Sequence, residues 1–344
     1  MKPKTNFTLI IITLSLFVAA CTSGGTSTGT AEVNYRVGTS GLSMQFVKNT
    51  PPQKVFEGDT FPAMISIKNN GAYSIPQDSA YLSLGVERDY TRAIQLQAGG
   101  RVSKANEDAD SSAKFNLDGR SQINSPGDEE VISYSIQAGK IDPQSETHTS
   151  ALIATLCYPY ETILESDVCI DTDVNNLRPG KKVCSQHDLS FGSGQGAPVT
   201  VTRIETRMLP NEITKDNGVS DRINPQFLIY VENIGSGLVI KQGTEKEFCT
   251  KSSALYANYN QVYVNVFLSN DELECQIAEV KKDPNDPFHI KLKDKKDIIR
   301  CNLKKGSQGI TKNLDNYLSP LKVVLKYGYS QSMAANYAIQ KPVS

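Results

Sequence analysis

Cys184-Ser-Gln-His187-Asp188 sets a thiol, an imidazole and a carboxylate close together in the chain, the groups of a cysteine nucleophile and its base. Such partners are usually assembled by the fold rather than by adjacency in sequence. The competing chemistry is oxidation. Besides Cys21 the chain carries Cys157, Cys169, Cys184, Cys249, Cys275 and Cys301, with no Cys-x-x-Cys spacing and only 3 histidines. That set argues against zinc and, in an exported chain, for disulfides. Neither Gly-x-Ser-x-Gly nor His-Glu-x-x-His occurs, so no hydrolase motif is present and the chain reads as a non-enzyme.

Three of the six cysteines precede residue 192 and three follow residue 197. Cys169 and Cys184 flank a segment rich in Asp, Asn, Pro and Gly, which a bridge would close. Cys275 and Cys301 sit in short apolar strands that could lie side by side in one sheet. Cys157, near the end of a strand, and Cys249, in a loop, are left over. They either bridge the two halves or remain free thiols, one in each, and spacing alone does not decide.

Asp171-Thr-Asp173-Val-Asn175 begins like a calcium loop, but an EF-hand continues with Gly at its sixth position and Glu at its twelfth. Asn176 and Lys182 stand there. A solvated turn is expected, with a calcium ion at a non-EF acidic loop as the alternative and no other cofactor. Asn106–Asp110 and Asp283–Asp286 are similar acidic loops. The basic run Lys291-Leu-Lys-Asp-Lys-Lys296 suits anionic headgroups or an acidic partner, or else protects a sheet edge.

The elements that position these groups read as strands. Leu42, Met44 and Phe46 alternate with polar neighbours, as in a half-buried strand. Further candidates are 61–68, 81–86, 93–96, 113–117, 131–136, 151–158, 167–170, 199–204, 227–233, 262–268, 273–278, 289–292, 298–303 and 321–329. Turn formers separate them, and no long 3.6-residue apolar period appears. The predicted class is all-β, with two tandem immunoglobulin-like sandwiches over 33–191 and 198–344 and a glycine-rich hinge at 192–197.

Lys2 and Lys4, an uncharged run from Phe7 to Val18, and Ala19-Ala20 before Cys21 give the pattern of a signal peptide over 1–20. Val18-Ala-Ala-Cys21 resembles the lipobox of prokaryotic lipoproteins, which implies Cys21 as the lipidated first residue of the mature chain. Thr22–Thr30 holds only Thr, Ser and Gly, so 21–32 reads as a flexible tether. The expected location is the extracytoplasmic face of a cell membrane, held by a lipid anchor. With 36 basic and 37 acidic residues, the chain has no general electrostatic case for nucleic acid.

The two halves share a grammar. Met64–Gly71 and Phe227–Gly235 match as Ile-x-Ile/Val-x-Asn-x-Gly, at an offset of 164 residues from Gly71 to Gly235. Leu152–Tyr160 and Leu321–Tyr329 both end in Tyr-x-Tyr, at an offset of 169 residues from Tyr160 to Tyr329. Such spacing suggests two copies of one domain type. The Phe56-Glu-Gly-Asp turn and the Asn-x-Gly strand ending resemble the immunoglobulin-like modules of prokaryotic surface proteins, including CARDB-type adhesion modules. Gly194–Val199 with the Asn-Ile-Gly strand is similar to the membrane-distal half of archaeal lipoproteins. The resemblance implies a sandwich fold and a surface lipoprotein that binds, adheres or assembles with other envelope macromolecules. The alternative is a lipid-anchored solute receptor serving a transporter, which ordinarily places its ligand in a cleft between α/β lobes.

Overall fold

The computed structural model describes residues 34–107, 110–210, 222–251, 256–276, 288–305, 307, 309–312 and 314–342. The signal peptide, Cys21, the tether and the Asp283–Asp286 loop lie outside them, as do parts of the Asn106–Asp110 loop and of the 273–278 strand candidate. Residues 34–344 form one unit, all-β apart from the six-residue helix Glu245–Thr250 and two short 3-10 turns among the described residues. The α/β lobes that a solute receptor would use have no counterpart there. No helix among the described residues is long and apolar enough to cross a membrane.

Two strands of 24 residues, Thr147–Ile170 and Tyr317–Gln340, pair antiparallel over their whole length. They form the middle of a ten-stranded sheet that continues through Ile75–Val86 on one side and Gln261–Leu268 on the other. A four-stranded sheet runs in the order Leu42–Phe46, Thr60–Asn69, Glu129–Ala138, Thr91–Gln97. A six-stranded sheet is built on Val199–Pro210, Arg222–Asn233 and Lys296–Asn302. The smaller sheets pack on the large one: the Phe61 ring lies 4.9 Å from Tyr337, and Thr162 donates to the Val199 carbonyl at 2.6 Å. A single apolar core runs through all three sheets. Alternation produces it, as in Gln261–Leu268, where Val262, Val264, Val266 and Leu268 point inward and their neighbours outward.

The sequence placed separate strands at 151–158 and 167–170, interrupted around Pro159. The structure runs straight through. Pairing with Ile75–Val86 stops at Cys157, two residues short of Pro159, so the proline has a side of the strand without a ladder. The candidate at 321–329 likewise extends to Gln340.

The internal repeat is spatial as well as sequential. Asn69 accepts from Gly71 N–H and donates to the Tyr73 carbonyl; Asn233 accepts from Gly235 N–H and donates to the Gly237 carbonyl. The register pairs Tyr158 with Tyr329 and Tyr160 with Tyr327. An offset of 169 residues therefore maps one pair onto the other, as an isologous two-fold contact would.

Residues 192–197, read as a hinge, are held in place. Gly196 donates to Gly38 O (2.8 Å), and its carbonyl accepts from Ala72 N–H (2.9 Å) and the Tyr160 hydroxyl (2.8 Å). Gly194 and Gly196 have φ of +68° and +67°, which glycine adopts without a steric penalty. A Cβ on Gly194 would strike the Gly38 carbonyl. These glycines serve conformation and close approach; they are not slack.

The helix Glu245–Thr250 lies against the strands Ile75–Val86 and Thr147–Ile170. The Glu245 carboxylate is buried beside Gly328, where a Cβ would sit 2.8 Å from its Oε1, and it accepts from Gly243 N–H at 2.9–3.0 Å. Burial outweighs those bonds and raises its pKa above the ordinary 4.5. The folded state thus favours the protonated acid. Its contribution to stability is complete below about pH 4.5 and is lost as pH rises through the higher folded value. Glu245→Gln, a neutral isostere, should therefore match wild type near pH 4 and be the more stable protein at pH 7. Urea titrations at the two pH values measure the difference; a constant offset would contradict the burial argument.

Candidate interaction surface

Sulfur chemistry is settled by pairing. Cys169 bonds to Cys184, Cys275 to Cys301 and Cys157 to Cys249. Cys275 and Cys301 stand directly opposite each other on adjacent strands, with Cα atoms 4.0 Å apart. Cys157 and Cys249 join the long strand to the helix, so the leftover pair is a bridge rather than two thiols. Cys184 thus has no thiolate to offer. His187 Nδ1 lies 3.0 Å from the Ser185 carbonyl, and Asp188 is paired with Arg203 at 2.6 Å. The Cys–His–Asp run does not form a nucleophilic site.

Nor do the aspartates of the same loop converge on a cation. Lys182 Nζ lies 2.6 Å from Asp171 Oδ2 and 2.7 Å from the Asp173 carbonyl. Asp173 accepts from Leu177 and Arg178 N–H at 2.9 and 3.0 Å, and the Arg178 bond leads in holding its carboxyl below the usual range. A lysine occupies the space that calcium would need. Among the described residues, no group of three or more His, Cys, Asp or Glu is arranged to hold a metal.

The four tyrosines at the pseudo-dyad are the largest polar cluster in the interior. Neighbouring ring centroids lie 5.8–6.4 Å apart. Each hydroxyl is bonded to backbone: Tyr158 to Leu42 N–H, Tyr160 to the Gly196 carbonyl, Tyr327 to Val199 N–H and Tyr329 to Gly237 N–H. Burial raises all four phenol pKa values. They are neutral, satisfied and sealed, which suits clamping the sandwich layers and not acid–base work.

What faces solvent lies at the ends of the long strands. At one end the Cys169–Cys184 loop clasps the start of Tyr317–Gln340. Asn316 accepts from Val183 N–H and donates to the Cys184 carbonyl; Arg178 bonds the Leu314 carbonyl at 2.7 Å. Val174, Leu177, Val183, Leu314 and Leu318 are all exposed there. The sequence reading missed them. Their signal was present as apolar residues among turn formers inside a cysteine-bounded loop.

At the other end, where Thr147 pairs with Gln340, the Tyr90 ring stacks on His148 at 3.6 Å. His148 Nε2 lies 3.1 Å from Glu87, and the Tyr90 hydroxyl donates to Asp142. A groove beside them is lined by Glu57, Asp89, Arg92 and Lys140. The basic run sits elsewhere, at the hairpin where His289–Lys291 of the large sheet turns into Lys296–Asn302 of the six-stranded one. Asp294 and Lys295 make that turn at positive φ, and Lys296 pairs with Glu232 at 3.0 Å. It lies at a corner between sheets.

No protein-family model matches the chain, and no curated protein matches it in sequence. Solved structures similar to it include a type I cohesin–dockerin complex from Clostridium thermocellum, 16% identical over 36% of this chain and 84% of that one, with a TM-score of 0.24. The Enterococcus faecalis MSCRAMM ACE, which binds its ligands by the collagen hug, is 6% identical over 89% and 96% of the two chains (TM-score 0.17). The C-terminal domain of the Streptococcus pyogenes antigen I/II-family protein AspA is 8% identical over 88% and 100% (TM-score 0.18). Likeness at these scores carries no argument about what this chain binds.

The Cys169–Cys184 bridge closes a loop of 15 residues, worth about 3 kcal/mol in the chain-entropy estimate. Cys169→Ser with Cys184→Ser should lower unfolding stability by about that amount, and trypsin should then cut first after Lys181 or Lys182. Denaturant titration and fragment masses test both outcomes.

Proposed function

We propose that this protein is a non-enzymatic, lipid-anchored binding module of the cell envelope, tethered through Cys21 on the extracytoplasmic side. One observation carries the reading: every cysteine from 157 onward is in a disulfide, so the folded part depends on an oxidising compartment. The signal-like start and Val-Ala-Ala-Cys21 then supply the route out and the anchor. Binding rather than catalysis is favoured because the one candidate nucleophile is oxidised and the buried phenols are satisfied. The surface for another envelope macromolecule is the end carrying Tyr90 and His148, where an aromatic stack meets carboxylates of both neighbouring loops. The two repeats are proposed to act as paired sandwich modules that carry this end away from the membrane.

Cys21→Ser should move the protein from the membrane to the soluble fraction, and the wild type should carry acyl mass on Cys21. A wild type without acyl mass, with unchanged fractionation of the variant, would refute the anchor. For the binding half, a macromolecule recovered with the lipidated wild type from its own membranes should be lost with Tyr90→Ala/His148→Ala. Equal recovery would exclude this end as the binding surface.

A further inference from the structure

The loop closed by Cys169 and Cys184 lies at the end of the body where the N-terminal segment leaves it. Arg36 sits 3.6 Å from Glu165, four residues before Cys169 on the same strand. At ~3.3 Å per residue that is about 13 Å, whereas Thr147 lies about 60 Å away in the other direction. From Cys21 to Asn34 the chain spans at most about 45 Å when fully extended. An acyl group on Cys21 therefore holds this loop nearer the bilayer than the Tyr90–His148 end.

The loop is made for such a surface. Leu177 and Val183 are 80% and 75% exposed, and Val174, Leu314 and Leu318 about half exposed. Apolar side chains scattered singly over a surface need no explanation, but five gathered on one clamped loop and the strand start it clasps mark an interaction site. Its charges balance: Arg178, Lys181 and Lys182 stand against Asp171, Asp173 and Asp315. Asp171 is already paired with Lys182, and Asp173 with backbone N–H groups. A strongly charged partner would find no net attraction here. Apolar tips on a neutral polar base instead suit the boundary between headgroups and acyl chains, where apolar area is buried while polar groups stay wet.

We propose that this loop is a membrane-docking tip. Val174, Leu177, Val183, Leu314 and Leu318 enter the interface of a zwitterionic bilayer and orient the body so that the Tyr90–His148 end faces outward. The inference rests on the reading of Cys21 as the lipid anchor, and its test separates the two. The chain contains no tryptophan, so Leu177→Trp in the lipidated full chain gives a single emitter. Phe56→Trp, beside Gln340 at the far end, is the control.

In phosphatidylcholine vesicles the Leu177→Trp emission should shift to the blue. Brominated acyl chains should quench it several-fold more than the control, equally at low and high salt. Water-like emission at position 177 on vesicles with which the protein floats, or equal quenching at both positions, overturns the docking tip and leaves the anchor standing. A blue shift seen only after native envelope extract is added also overturns it, in favour of a protein partner. If Cys21 carries no acyl mass, the anchor reading fails by itself. Vesicles added to that unlipidated chain then decide the tip, quenching at 177 supporting it and no quenching overturning it.

Discussion

Twenty-four antiparallel pairs between Thr147–Ile170 and Tyr317–Gln340 are the contact on which the architecture depends. Each long strand is shared: one stretch supports Ile75–Val86 or Gln261–Leu268, and the remainder faces its mate. Side chains near the crossing must therefore serve both repeats. Four tyrosines do so, with rings filling the space between layers and hydroxyls capping backbone N–H and carbonyl groups that would otherwise be buried unpaired. The fit is close. A Cβ on Gly71 would run into the Tyr160 hydroxyl, and one on Gly235 into that of Tyr329. Each Asn-x-Gly turn is thus tied to the Tyr-x-Tyr of its own repeat.

The pseudo-symmetry is broken where the surface features are. The second repeat inserts Glu245–Thr250 and spends Cys249 on Cys157 of the first, covering strands that the first repeat leaves open in its own copy. The first repeat carries the Cys169–Cys184 loop at one end of the long strands and the Tyr90–His148 stack at the other. A rigid ribbon about 80 Å long, at ~3.3 Å per residue, keeps these two ends apart. That separation lets one end meet a bilayer while the other meets something else.

The interior contains no chemistry left over for catalysis. Phenols raised by burial, paired aspartates and oxidised sulfurs are each accounted for by a nearby partner. Binding surfaces on such a scaffold are decided by what the loops expose, since function resides in sites rather than in the fold.

Local pattern was enough to read strand periodicity, the Asn-x-Gly and Tyr-x-Tyr repeats and the even cysteine set, because alternation, turn formation and thiol number are properties of neighbouring residues. It misjudged what depends on distant partners. Pro159 looked like a break, but one neighbouring strand had already ended beside it. Gly194 and Gly196 looked slack, but they are the positions where residues 38 and 72 come closest. Asp171 and Asp173 looked like cation ligands until Lys182 folded back between them. The exposed faces of Leu177 and Val183 were equally invisible, since an apolar residue in a sequence is presumed buried until the fold fails to cover it. Sequence set which residues alternate and which can cross-link; tertiary structure alone decided which groups share a partner, because those contacts join segments more than a hundred residues apart.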